Sequence, residues 1–212
     1  MSDTRTMRVW GIVGLLLLAM STACSSGPGA PVDSRPYQER VQAARKAKDE
    51  AFRASDNQFS PLRAEDRASF PGIAYFAINE SYRVPAALTA IQANPPVIIS
   101  VPNSAHDVEQ KVKVGALKFT LNGVSYSLSG FAEDAGDVRR LWVPFRDLTS
   151  GVTTYGGGRY MELERTPTGL YDLDFNTAYQ PNCVYDSRWV CPYPPAENRL
   201  PIAIEAGERL RQ

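Results

Sequence analysis

Hydrophobic and polar positions along this chain change period twice. An unbroken apolar run, Val9 to Met20, is followed from Ser34 by apolar residues spaced by three or four, and from Tyr82 by alternation. In the middle stretch Tyr37, Val41, Ala44, Ala47 and Ala51-Phe52 fall on one face, which predicts an amphipathic helix over 34–55. Its other face carries Arg40, Arg45, Lys46, Lys48, Asp49 and Glu50 and reads as solvated. Ser60-Pro61 predicts the start of a second short helix, because Ser caps well and proline suits the first helical position.

Alternation over 82–175 predicts a run of short strands. One runs from Tyr82 through Leu88 towards Ile91, and Pro96 to Val101 is the next, fenced by prolines. Leu117, Phe119 and Leu121 precede Asn122-Gly123, and Val124, Tyr126 and Leu128 follow it. A two-residue Asn-Gly turn pairs 121 with 124, 119 with 126 and 117 with 128, and puts all these apolar side chains on one face. Leu141, Val143 and Phe145 alternate in the next strand, Tyr160 to Glu164 forms another, and Tyr171 to Phe175 sends Asp172 and Asp174 to an outer, wet face. Prolines at 181, 192, 194, 195 and 201 make 176–206 an irregular segment, within which Pro201 to Glu205 is expected as a last edge strand. The pattern predicts a mainly β fold with one N-terminal helix: a small antiparallel β barrel or sandwich with an irregular, proline-rich C-terminal segment packed on it, forming a single domain over 34–212.

The first apolar run changes the picture of location. Arg5 and Arg8, the run to Met20 and the small residues before Cys24 make residues 1–23 an export signal, short for a membrane span. The Ser21-Thr22-Ala23-Cys24 end resembles a bacterial lipobox, which implies lipidation at Cys24; the alternative is an ordinary signal cut after Ala23. Ser25 to Pro31, small and uncharged, then make 24–33 a flexible tether. A lipid anchor and a slack linker would hold the domain at a membrane. Resemblance to enterobacterial lipoproteins implies, from Ser25, the periplasmic face of the outer membrane.

Composition adds mainly exclusions. The chain has 212 residues, 43% hydrophobic and 22% charged, with 23 basic and 23 acidic side chains. No basic footprint exists for nucleic acid. With Cys24 lipidated, Cys183 and Cys191 remain, and in an exported chain a disulfide between them is the simplest outcome. The single histidine, His106, lies beside Asp107 in a polar loop without metal-ligand spacing, and no Gly-x-Ser-x-Gly elbow or phosphate loop occurs. No metal and no cofactor are expected.

Phe145-Arg146-Asp147-x-Thr149-Ser150-Gly151, Thr154-Tyr155-Gly156-Gly157-Gly158-Arg159-Tyr160, Asp174-Phe175-Asn176-x-Ala178-Tyr179, Cys183-x-Tyr185 and Cys191-Pro192-x-Pro194-Pro195-x-Glu197-Asn198-x-Leu200-Pro201 occur in this order. Together with Phe70-Pro71-Gly72 and Tyr82-Arg83-Val84 they resemble the family of unknown function DUF1684, over about residues 36 to 208. The resemblance implies no catalytic residue.

The glycine-rich loop is the candidate site on its own residues. Gly156, Gly157 and Gly158 can turn backbone N–H groups inward while Arg146 and Arg159 offer fork-shaped donors, a pocket for a carboxylate or phosphate. Tyr155, Tyr160 and Tyr179 would line it, and Asp147, Asn176, Glu197 and Asn198 complete the candidates. The competing reading is a structural knot in which Asp147 pairs with an arginine and Asn176 caps a turn. The expected function is a non-catalytic, membrane-anchored binder of a small anionic ligand or envelope component. The alternatives are an enzyme using Asp147, Tyr155 or Glu197, a two-carboxylate hydrolase at Asp172 and Asp174, a barrel resembling flavin-binding split barrels, or an envelope interaction module.

Overall fold

A computed structural model describes residues 33–211, and the folded unit that carries every element begins at Arg35. The expected export signal, Cys24 and all but the last residue of the tether lie outside the described residues.

Helix α1, Tyr37–Arg53, starts directly after Pro36 and ends where Ala54 N–H donates to the Glu50 carbonyl. Phe52 at its end packs with Leu62, Ile73, Phe70, Tyr75 and Tyr185 in a small apolar cluster of its own. The second helix, α2, covers only Ala64–Arg67 and begins later than Ser60-Pro61 predicts. Ser60 Oγ instead donates to the Phe52 carbonyl at 2.7 Å and accepts from Leu62 N–H at 3.3 Å, so this hydroxyl serves the C-terminal end of α1 and does not start a second helix.

The strands are β1 Ala74–Tyr75, β2 Arg83–Ala90, β3 Ile98–Pro102, β4 Val108–Leu121, β5 Val124–Ala132, β6 Arg140–Phe145, β7 Arg159–Glu164, β8 Tyr171–Asp174 and β9 Glu208–Arg209. Seven of them form an antiparallel sheet in the order β7-β6-β5-β4-β2-β8, with β3 pairing the first half of β4. The sheet curls into a nearly closed barrel. The β4–β5 hairpin has the predicted register, with Leu121 opposite Val124, Phe119 opposite Tyr126 and Leu117 opposite Leu128. Asn122 at φ 51° and Gly123 at φ 79° supply the two left-handed residues that a two-residue turn of this type needs.

Inside lie Leu117, Leu128, Leu141, Val143, Phe145, Met161, Leu173 and Phe175, each fully buried. The alternation of β6 places Leu141, Val143 and Phe145 in this core and Trp142 on the outer face, where it meets Phe131.

Two expectations fail for non-local reasons. Pro201 to Glu205 is not an edge strand: Ile204 is buried, and its N–H donates to Asp147 Oδ2 at 2.7 Å, leaving no ladder to join. The chain pairs only later, as β9 against β1. Asp174 is not on a wet face either, being 7% exposed, because Tyr37 of α1 lies over it and donates its hydroxyl at 2.8 Å. Asp172 is exposed, with Arg83 Nη2 at 2.6 Å. The shared strand face thus holds one covered and one ion-paired carboxylate.

Candidate functional site

The sequence-predicted residues fall into separate places. Asp147 and Arg159 form a buried ion pair, Nη2 to Oδ2 at 3.1 Å. Thr149 donates to Asp147 Oδ1 at 2.7 Å, and Arg159 also donates to the carbonyls of Ile204, Ala206 and Glu208. This is the structural knot. Gly158, at φ 98°, belongs to it, since a Cβ there would lie 2.6 Å from the Phe145 carbonyl oxygen. Gly157 is buried beneath the Tyr155 ring, while Gly156 is exposed beside Gly151.

Asn198 is wholly buried and pins the C-terminal segment to β5 and β6, accepting from Ser129 N–H and donating to the Ser129 and Pro144 carbonyls. Glu197 is exposed and pairs with Lys113 at 3.1 Å. Arg146 stacks over Tyr193 at 5.4 Å, and Tyr193 hydrogen-bonds the Tyr155 hydroxyl, whose pKa is raised first by burial and then by that bond. Tyr179 donates to Glu162 at 3.0 Å on a different face. Cys183 and Cys191 are joined in a disulfide with their Cα atoms 6.1 Å apart, as expected. His106 sits in an exposed loop at φ 62°.

Asn176 lies elsewhere, in a cleft of about 310 Å3 between α1 and the barrel. The α1 wall contributes Tyr37, Arg40, Arg45 and Lys48; the barrel side contributes Tyr75, Arg83, Asp174, Asn176 and Glu208. Its carboxylates are already satisfied. Glu208 takes Lys48 at 2.6 Å, Asp172 takes Arg83, and Asp174 accepts from Tyr37 and from the Asn176 N–H and Nδ2. Asn176 also exchanges hydrogen bonds with Asn79, which fixes its amide.

Two cations in the cleft are not satisfied in this way. Arg45 lies 4.3 Å over the Tyr75 ring and donates to the carbonyls of Phe76 and Asn176, but among the described residues no carboxylate lies within ion-pair distance of Arg45 or Arg40. Burial pushes the Arg45 pKa down, the direction expected of a desolvated cation. Arg40 Nε, Arg45 Nε and the Tyr75 hydroxyl are each buried without a hydrogen-bond partner among the described residues. All three unmatched donors belong to residues that line this one cavity. The Tyr37 and Tyr75 phenols are both raised, first by burial, and so remain proton donors at neutral pH.

Assignment of the α1 charges to a solvated face missed this cleft. The signal was available: Arg45 and Lys48 fall on the same helical stripe as Val41 and Phe52, the residues that pack inward.

The fold and cleft define a small antiparallel barrel flanked on one side by a helix. The chain belongs to the family described as protein of unknown function (DUF1684), whose model matches residues 68–209. The barrel side of the cleft lies within that match and the α1 wall precedes it. An uncharacterized protein of Haloarcula marismortui, solved by solution NMR, is 39% identical with a TM-score of 0.62, over 82% of this chain and 94% of its own. No curated protein matches this chain.

Proposed function

We propose that this chain is a lipid-anchored envelope protein whose domain binds a small anionic molecule, without catalysis, in the cleft between α1 and the barrel. The observation that carries the reading is Arg45, a desolvated guanidinium lacking a described carboxylate partner, flanked by unmatched donors on Arg40 and Tyr75. A carboxylate or phosphate is the ligand chemistry that such guanidiniums favour, because charge-assisted hydrogen bonds to guanidinium are strong and a neighbouring phenol adds a neutral donor. The volume lies at the small end of ligand pockets and suits a compact metabolite. The enzyme reading loses support: of its expected acid–base residues, Asp147 is held in the core by the Arg159, Ile204 and Thr149 donors, and Glu197 pairs with Lys113 outside this cleft.

The test uses the full chain expressed with export, titrated by calorimetry with inorganic phosphate and with a panel of small dicarboxylates. Saturable binding, weakened at least about tenfold in Arg45→Gln through loss of a charged contact, supports the reading. Binding unchanged in a folded Arg45→Gln protein, or no binding of any anion, refutes it. Anchoring is tested apart: Cys24→Ser should move the protein from the membrane to the soluble fraction.

A further inference from the structure

A second concavity, about 1310 Å3, runs over the outer face of β4 to β7 beneath the disulfide-closed part of the C-terminal segment. Its floor is a line of touching rings. Phe131 lies 5.7 Å from Trp142, Trp142 lies 5.1 Å from Tyr160, and Tyr160 lies 5.8 Å from Tyr179. Phe131 and Tyr160 are buried, which fixes the floor, whereas Trp142, Tyr179 and, on the opposite wall, Trp189 are only half-buried and keep ring surface towards the groove. Lys111 sits 5.4 Å from the Trp142 centroid and Trp189 Nε1 donates to the Pro61 carbonyl, so both indoles are held in place.

The polar groups around these rings are planar and mostly paired: Arg140 with Glu164 at 2.7 Å and Arg139 with Asp137 at 2.7 Å. Glu162, directly across the strands from Trp142, has no described cation within ion-pair distance and accepts only from Tyr179. Basic and acidic side chains nearly balance along the lining, so the groove selects neither an anion nor a cation.

We infer that this groove is a binding site for a linear, neutral glycan. Sugar rings present apolar C–H faces that lie on aromatic planes, and equatorial hydroxyls that carboxylates, guanidiniums and amides engage two at a time. Trp142 and Trp189 supply the planes, and Glu162 supplies an acceptor at the floor. A length of several sugars matches an open groove better than a closed pocket. A proline-rich peptide, the other ligand of aromatic grooves, needs apolar slots between the rings, and here those intervals carry Glu162, Arg140 and Glu164.

Trp142 and Trp189 are the two tryptophans among the described residues, so indole emission of the exported chain reports on the groove. The experiment titrates that chain with chitotetraose and with cellotetraose, following fluorescence and calorimetry. Saturable binding to either sugar, weakened more than about tenfold in Trp142→Ala and about tenfold in Glu162→Gln but unchanged in Arg45→Gln, is expected. The Glu162→Gln protein tests the site if Trp142→Ala fails to fold. No saturable binding to either sugar, binding indifferent to a folded Glu162→Gln protein, or binding only of a proline-rich peptide overturns the inference.

Discussion

The Asp147 carboxylate stands 3.1 Å from the Arg159 guanidinium with neither side chain more than 1% exposed. Removing either partner leaves the other buried and uncompensated, a loss of about 3–5 kcal/mol. Asp147→Ala and Arg159→Ala should therefore each shift the urea midpoint sharply downward at pH 7. The double variant should lose much less than the two single losses added, because the penalty is the stranded charge. Additive losses would mean that the two groups are not energetically coupled.

Gly158 and Gly123 both adopt positive φ, 98° and 79°, but in different surroundings. A Cβ on Gly123 meets nothing within 4 Å, whereas one on Gly158 would press to 2.6 Å from the Phe145 carbonyl and 2.7 Å from Pro194 Cγ. Gly123→Ala should lower stability by about 1–2 kcal/mol from backbone conformation alone. Gly158→Ala adds a clash with backbone and should cost clearly more, by about 1–3 kcal/mol in thermal or denaturant unfolding.

These residues also mark what could be read from the chain. Asn122-Gly123 between alternating strands specifies its hairpin locally, since turn type and side-chain parity both follow from adjacent residues. The glycine loop announced tight geometry, but the partners that make it structural, the Ile204, Ala206 and Glu208 backbones, come from some 45 residues later. Asp174 alternates as an outward residue and is covered only because α1, far away in sequence, lays Tyr37 across it. Trp142 follows the same logic: alternation turns it away from the core, but the chain pattern does not say that Phe131 and Tyr160 join it there.

Glu162 predicts a pH signature. Although its side chain is open to solvent in the groove, the surrounding walls desolvate it and raise its pKa, against smaller lowering effects of the Tyr179 hydrogen bond and the Arg140 charge. A carboxyl whose folded pKa exceeds its unfolded one opposes folding once ionised. The contribution is absent below about pH 4, grows as pH rises through the raised value, and is constant above it. Melting temperatures of Glu162→Gln and the parent chain should thus coincide at low pH, with the variant becoming the more stable towards neutrality. A variant less stable at pH 7 would place the balance on the Tyr179 hydrogen bond instead.

The disulfide between Cys183 and Cys191 closes a short loop, which by chain entropy stabilises the fold by about 2.5 kcal/mol. Its effect is also local. Cys191 N–H donates to Ser104 Oγ, Ser104 N–H donates to the Cys191 carbonyl, and Tyr160 donates its hydroxyl to the Pro192 carbonyl, so the bridge holds the segment that walls the aromatic groove. Reduction, or replacement of both cysteines by alanine, should lower the unfolding midpoint. It should also speed amide exchange over 183–192, while the β4–β5 hairpin, whose ladder does not depend on this segment, exchanges slowly as before. Loss of protection in the hairpin at the same reductant concentration would show instead that the segment and the barrel unfold as one unit.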